Sequence, residues 1–100
     1  MYALSSVLQD LEVAYERAGR LDEASQCLQR VVALRRKIGR PDALALALNN
    51  LGVIYHQRGN YTQALRAFEE GMQIVTRSND RRAESYLLWS LGDLQRDLGL

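Results

Sequence analysis

The chain repeats itself with a period of 40 residues, and this repetition limits the possible folds more than any other feature. The residues that recur in three successive units are leucine, glycine and alanine: Leu11, Leu51 and Leu91; Gly19, Gly59 and Gly99; and Ala3, Ala43 and Ala83. Eight positions are identical between residues 1–40 and 41–80, and nearly all of them are apolar or glycine. Because the identities fall at residues typical of a core, the sequence predicts diverged units that stack on one another.

Apolar residues of the second unit recur at a helical spacing on both sides of Gly59. The two apolar faces are Leu44, Leu48, Leu51 and Tyr55, and then Tyr61, Ala64, Leu65, Phe68 and Met72. Gly59 suits the left-handed conformation that ends a helix, and no segment alternates polar and apolar residues for long enough to form a strand. The pattern predicts an all-α chain of five helices, near residues 2–18, 21–37, 42–58, 61–77 and 81–98.

Polar residues mark where three of these helices begin. Asn60 suits the N-cap position, with Gln63 three residues later to complete a capping box. Asp80 is predicted to cap the following helix, which begins RRAESYLL. Pro41 fits the first turn, and Asp42 is favourably placed against the helix dipole.

The spacing within the second unit resembles that of the tetratricopeptide repeat, a helix–turn–helix family. Its pattern appears here as Leu48, Leu51-Gly52, Tyr55, Gly59, Tyr61, Ala64, Phe68 and Gly71. The first unit departs from it at Glu12, where the family prefers glycine, and the third at Gln95, where it prefers tyrosine. The resemblance implies antiparallel hairpins stacked as a right-handed α-solenoid. It divides one domain, residues 1–100, into repeat 1 (1–40), repeat 2 (41–80) and half of repeat 3 (81–100), as a fragment of a larger protein.

Packing accounts for the pattern residues of the second unit. Gly52, Ala64 and Gly71 are predicted to let two helices approach closely, while Tyr55 and Phe68 fill the space beside them. These side chains are therefore assigned to the core and not to a reaction.

Residues of catalytic type lack partners. His56 is the single histidine and is predicted to face solvent, and Cys27 aligns with Ala67 as a small packed side chain. The spacing of the glycines does not suit a phosphate-binding loop, and no metal-ligand spacing occurs. We expect no enzyme activity, no cofactor and no metal.

The charge balance gives no general attraction to polyanions. There are 13 basic and 12 acidic side chains, and the basic cluster of Arg35, Arg36, Lys37 and Arg40 lies at a helix end, where cations suit the dipole. No apolar run approaches the roughly 20 residues that span a bilayer, and no secretory signal is present. The lone cysteine fits a reducing compartment. We therefore expect a cytoplasmic location, with neither nucleic acid nor membrane as a partner.

The resemblance also implies where binding would occur. In this family the first helix of each hairpin lines the concave side of the stack, and its polar face holds a protein or peptide. The candidate residues are Gln9, Val13, Arg17, Asn49, Val53, His56, Gln57, Trp89, Asp93 and Arg96. Trp89 is the leading candidate because tryptophan is favoured at interfaces, although packing against a following helix is an equal alternative.

The best-understood pocket of this family binds a C-terminal carboxylate with Lys, Asn, Asn, Lys and Arg. The corresponding positions hold Gln9, Val13, Asn50, Tyr86 and Ser90, and only Asn50 agrees. A receptor for dicarboxylate tails is therefore not expected.

Two functions follow from these expectations. The first is a scaffold that binds a protein or peptide on the concave face; the alternative is a regulatory or oligomerisation domain of an ATPase-type bacterial transcription activator. The last helix is also predicted to expose a leucine stripe that favours a homodimer or domain swap. Its members are Leu87, Leu88, Leu91, Leu94 and Leu98.

Overall fold

The computed structural model describes residues 19–99, which form four α-helices and contain no strand. The helices are α1 (Leu21–Ile38), α2 (Pro41–Gln57), α3 (Tyr61–Ser78) and α4 (Arg81–Asp97). Each end agrees with the corresponding predicted helix to within one residue. The remaining predicted helix, which is the first along the chain (near residues 2–18), lies outside the described residues.

The three helix starts lie where the local signals predict them, although one capping side chain makes no hydrogen bond. Gly59 has a φ of 80°, which confirms the left-handed turn before α3. Pro41 is in the first turn of α2, and Asp80 accepts a hydrogen bond from the backbone N–H of Ala83 at 3.1 Å. Asn60 occupies the predicted N-cap position of α3, but its side chain makes no capping hydrogen bond. Its ψ of 69° falls short of the extended backbone from which a capping side chain reaches the first turn, whereas the ψ of Asp80 is 94°.

The core is organised around α2, which contacts each of the other three described helices, and α3 also packs against α4. The buried apolar side chains of α2 are Ala45, Ala47, Leu48, Leu51, Ile54 and Tyr55. Tyr55 also satisfies its hydroxyl, which accepts a hydrogen bond from Gln29 of α1 at 2.7 Å. The predicted core face of this helix is therefore confirmed at Leu48, Leu51 and Tyr55.

Two glycines in the helices each accommodate a large side chain from a neighbouring helix. A Cβ atom on Gly52 would lie 2.7 and 2.8 Å from two ring atoms of Phe68, with a third ring atom closer still. A Cβ atom on Gly71 would lie 2.8 Å from Cδ2 of Leu87. The need for small residues is confirmed, but each faces a side chain and not the backbone of the next helix.

Two arginines of the basic cluster at the end of α1 are held in protein contacts. Arg35 is buried and donates to the carbonyl oxygen of Ala43 at 2.8 Å. Arg36 lies 2.5 Å from a carboxylate oxygen of Glu70 in α3, and this hydrogen bond raises the pKa of the arginine. These cations therefore join α1 to α2 and α3, a role that their position at a helix end did not predict.

The predicted leucine stripe on α4 is wrong for two of its members. Leu87 and Leu94 are fully buried, and Leu87 lies against Gly71 of α3. Leu91 is half-buried against the core, while Leu88 and Leu98 are exposed. Packing on α3 thus divides the stripe into a buried side and an exposed side.

Candidate binding groove

The helices α2 and α4 lie side by side and are joined by two polar contacts. Ser90 donates its hydroxyl proton to the side-chain oxygen of Asn49 at 2.7 Å, and Nε2 of His56 lies 2.5 Å from Oδ2 of Asp97. Each contact joins residues 41 positions apart. The two helices therefore run in the same direction at a constant register, with the contacts about 10 Å apart along them.

A groove of about 420 Å³ opens between these two helices. Its lining residues are Val53, His56 and Gln57 from α2, and Trp89, Ser90, Asp93, Arg96 and Asp97 from α4. Val53 is half-buried and packs against the core, so the groove has an apolar position between polar walls.

The structure brings together most of the predicted binding residues. Six of them line the groove: Val53, His56, Gln57, Trp89, Asp93 and Arg96. Asn49 lies beside it, with its side-chain oxygen bound to Ser90. The other three, Gln9, Val13 and Arg17, lie outside the described residues.

Ser90 and Asp97 line the groove but were absent from the predicted set. The 40-residue shift carries a signal for both, because it aligns Ser90 with Asn50 and Asp97 with Gln57. The alignment does not show, however, that Ser90 contacts Asn49 or that Asp97 contacts His56. Only the packing of α2 beside α4 shows these contacts.

His56 is more enclosed than the sequence predicts. Its side chain is only 17% exposed, so the prediction of a solvent-facing histidine is wrong. The ring meets Tyr61, at the start of α3, edge-on with the ring centroids 5.8 Å apart. With a proton on Nε2 the ring donates to Asp97, and one side chain of α2 then contacts both α3 and α4.

Trp89 and Asp93 give the α4 wall its chemical character. Trp89 is 77% exposed, the highest fraction of any large apolar residue among those described. Asp93 lies one helical turn further along and pairs with Arg96, with Oδ1 of the aspartate 3.1 Å from a guanidinium nitrogen. An aromatic surface is thus followed directly by a carboxylate.

The described residues offer no grouping of metal ligands. Within residues 19–99 no three histidine, cysteine, aspartate or glutamate side chains lie close enough together to hold a metal ion. Cys27 is half-buried and forms no disulfide. None of helices α1 to α4 is long and apolar enough to cross a membrane.

Sequence comparison supports what the repeat spacing and the helical hairpin indicate. Two sequence models of the tetratricopeptide repeat match the chain, one over residues 43–100 and the other over residues 7–42. The chain belongs to the tetratricopeptide repeat family. Repeats of this family generally mediate protein–protein interaction, and these matches indicate no catalytic family.

Curated relatives include tetratricopeptide repeat protein 19, mitochondrial, from two mammals. The human protein is 29% identical over 90 residues, which cover 90% of this chain and 23% of that protein. The rat protein is 30% identical over 90 residues, which cover 90% of this chain and 24% of that protein. The chain thus spans about a quarter of the length of these relatives.

Proposed function

We propose that this chain is an interaction scaffold that binds a segment of another protein in the groove between α2 and α4. The observation that carries the proposal is Trp89, which is 77% exposed on the wall of that groove. A tryptophan in water loses unfavourable apolar exposure when a partner covers it, and tryptophan is enriched among residues that dominate binding energy. Val53 across the groove offers a second apolar contact.

The parallel arrangement of α2 and α4 supports a concave binding face. These are the first helices of two successive units, and the contacts between them keep the same register over two helical turns. Stacking further hairpins in this register would produce the right-handed solenoid, with its binding groove continuing from unit to unit on one side. A segment in extended or helical conformation would then contact several units at once.

Three other expectations are the regulatory domain, the packing of Trp89 against a following helix, and the cytoplasmic location. A regulatory domain of a bacterial transcription activator has no specific observation in its favour among residues 19–99. Packing of Trp89 against a following helix would remove the indole from the groove, and the selection experiment below distinguishes that arrangement from ligand binding. We propose a cytoplasmic location because the lone cysteine fits a reducing compartment. Fractionation of cells that make the protein tests it, and recovery in an organelle would contradict it.

Selection of peptides from a random phage-displayed library tests the proposed function. Peptides selected on the wild-type chain should bind Trp89→Ala at least tenfold more weakly, because a buried tryptophan is commonly a dominant contact. Gln73→Ala is the matched control, since Gln73 is exposed on α3 and does not line the groove. Circular dichroism should show equal helix content in all three proteins. Equal affinity of the selected peptides for wild type and Trp89→Ala would overturn the proposal.

A further inference from the structure

We infer that the groove recognises an arginine side chain of the bound segment, which stacks on Trp89 and pairs with Asp93. The inference rests on the proposed function and specifies the chemistry of its ligand. The relevant groups share one side of α4, where Trp89, Asp93 and Asp97 follow one another at intervals of four residues. An indole followed by two carboxylates is therefore presented along the groove wall.

Each of these carboxylates has an oxygen available to a ligand. Asp93 uses Oδ1 to contact Arg96, and Asp97 uses Oδ2 to contact His56. Among the described residues, Oδ2 of Asp93 and Oδ1 of Asp97 accept no hydrogen bond. The wall thus offers two unused acceptors next to an exposed aromatic surface.

The charge of the groove favours a cation over an anion. Its lining contains two aspartates and one arginine, so its formal charge is −1 with His56 neutral. A carboxylate of the ligand would approach Asp93 and Asp97, whose two negative charges outnumber the single positive charge of Arg96.

Arginine suits these groups better than lysine does. A guanidinium is planar, so it can stack on an indole while its edge donates to a carboxylate in the same plane. Two parallel hydrogen bonds between guanidinium and carboxylate add directional specificity that an ammonium group lacks. Trp89 supplies the stacking surface, and Asp93 supplies the acceptor one turn away.

Arg96 occupies part of this site as an internal competitor. Its side chain is 76% exposed, and its pair with Asp93 spans only three positions on the same helix. Exposed pairs of this kind contribute little stability, so the guanidinium of a ligand can displace Arg96 from Asp93. Removal of Arg96 should therefore strengthen the binding of an arginine ligand.

The intrinsic fluorescence of the chain provides a local assay, because Trp89 is its single tryptophan. The probe is a capped hexapeptide with one arginine among leucine, serine and glycine residues. Three matched peptides carry citrulline, lysine or glutamate in place of the arginine. We expect saturable change of the emission with the arginine peptide and at least tenfold weaker binding of the citrulline peptide, which keeps the shape but loses the charge. Lysine should bind between these two, and glutamate most weakly.

Two charge variants give opposite expected effects. Asp93→Asn should weaken binding of the arginine peptide about tenfold, since it removes a charge-assisted hydrogen bond. Arg96→Ala should strengthen it about two- to fivefold, which is the range that an exposed ion pair commonly contributes. Gln95→Ala is the control, because Gln95 is exposed beside Arg96 on α4 but does not line the groove. A groove that selects anions would reverse both signs.

Several outcomes would overturn the inference. These are equal affinity for the arginine and citrulline peptides, an unchanged affinity in Asp93→Asn, weaker binding by Arg96→Ala, or no emission change with the arginine peptide. If library peptides bind in a manner that depends on Trp89 but are not enriched in arginine, the inference is wrong and the proposed function stands. If the selected peptides ignore the loss of Trp89, the proposed function is wrong as well.

Discussion

Two glycines at the same position of successive repeats should respond in opposite ways to replacement by alanine. Gly52 and Gly92 are 40 residues apart, and both lie inside helices. A Cβ atom on Gly52 meets the ring of Phe68, whereas a Cβ atom on Gly92 has no atom of residues 19–99 within 4 Å beyond its own helix backbone and chain neighbours. The matched pair therefore separates the cost of steric overlap from the intrinsic helix preference of alanine.

The geometry sets the size of the two effects. Ordinary contacts of a Cβ atom begin near 3.4 Å, so the Phe68 ring, at 2.7 and 2.8 Å and closer, must retreat by nearly 1 Å. Phe68 is fully buried, and its retreat has to move other core atoms or separate α3 from α2. Overpacking of this kind costs up to about 3 kcal/mol, and the helix preference of alanine over glycine returns about 1 kcal/mol. The free energy of unfolding should thus fall by about 2 kcal/mol in Gly52→Ala and rise by up to about 1 kcal/mol in Gly92→Ala.

Thermal unfolding followed by circular dichroism measures both effects. For a domain of this size a change of 1 kcal/mol shifts the melting temperature by roughly 4–8 °C. Gly52→Ala should melt about 10 °C lower than wild type, and Gly92→Ala about 4 °C higher. Replacing Phe68 by leucine in the Gly52→Ala background should recover part of the loss, because the smaller side chain removes the overlapping ring atoms.

The result that refutes this reasoning is a Gly52→Ala protein that melts at or above the wild-type temperature. Such a result would mean that the Phe68 ring does not lie over Gly52. A Gly92→Ala protein that melts lower than wild type would refute the second half, since it would show that a neighbour covers Gly92 in solution.

Three further predictions concern the ends and the exposed side of the helices. In guanidinium titrations Asp80→Ala should lower the free energy of unfolding by about 1 kcal/mol, and Asn60→Ala should hardly change it, because of these two side chains only that of Asp80 makes a capping hydrogen bond. Equal losses in the two variants would contradict this. Light scattering at high concentration should detect a dimer that Leu88→Lys dissociates, since Leu88 is 54% exposed; a wild-type monomer would contradict this. The backbone N–H of Ala43 holds the pKa of Asp42 below its ordinary value of 3.8. The stability that this contact contributes is present above the pKa of Asp42 in the unfolded chain and is lost as the pH falls through its lower pKa in the folded chain. Asp42→Asn removes this contribution, so below pH 3.8 its free energy of unfolding should fall less steeply than that of wild type; identical pH profiles of the two proteins would contradict this.

The helices could be predicted because their signals are local. Gly59 ends α2 through its own backbone conformation, and Pro41 fits only a first turn, so neither depends on the rest of the molecule. Asn60 shows the limit of such signals, because it takes the N-cap position but, at a ψ of 69°, its side chain makes no capping hydrogen bond. Residue type alone does not determine that angle.

The groove could be predicted in part because the repeat period places equivalent helices side by side. Val53 and Trp89 occur together for that reason. The enclosure of His56 could not be predicted, since Asp97 comes from a helix one unit later and Tyr61 from the adjoining helix. The burial of Arg35 depends similarly on where the turn after α1 places the carbonyl of Ala43. Each of these contacts needs the relative positions of two helices.

The offset of 41 residues shared by the Asn49–Ser90 and His56–Asp97 contacts has a consequence for the curvature of a repeat array. These side chains lie at the groove between α2 and α4, and because both contacts join equivalent helices of successive units, they help to set the angle between one unit and the next. A substitution at either contact would therefore alter the angle between units as well as the chemistry of the groove. In any array built on this register, a change of a few degrees at one junction would displace the later units by an amount that grows with their distance from it, so the residues of these two contacts would influence how far the array extends.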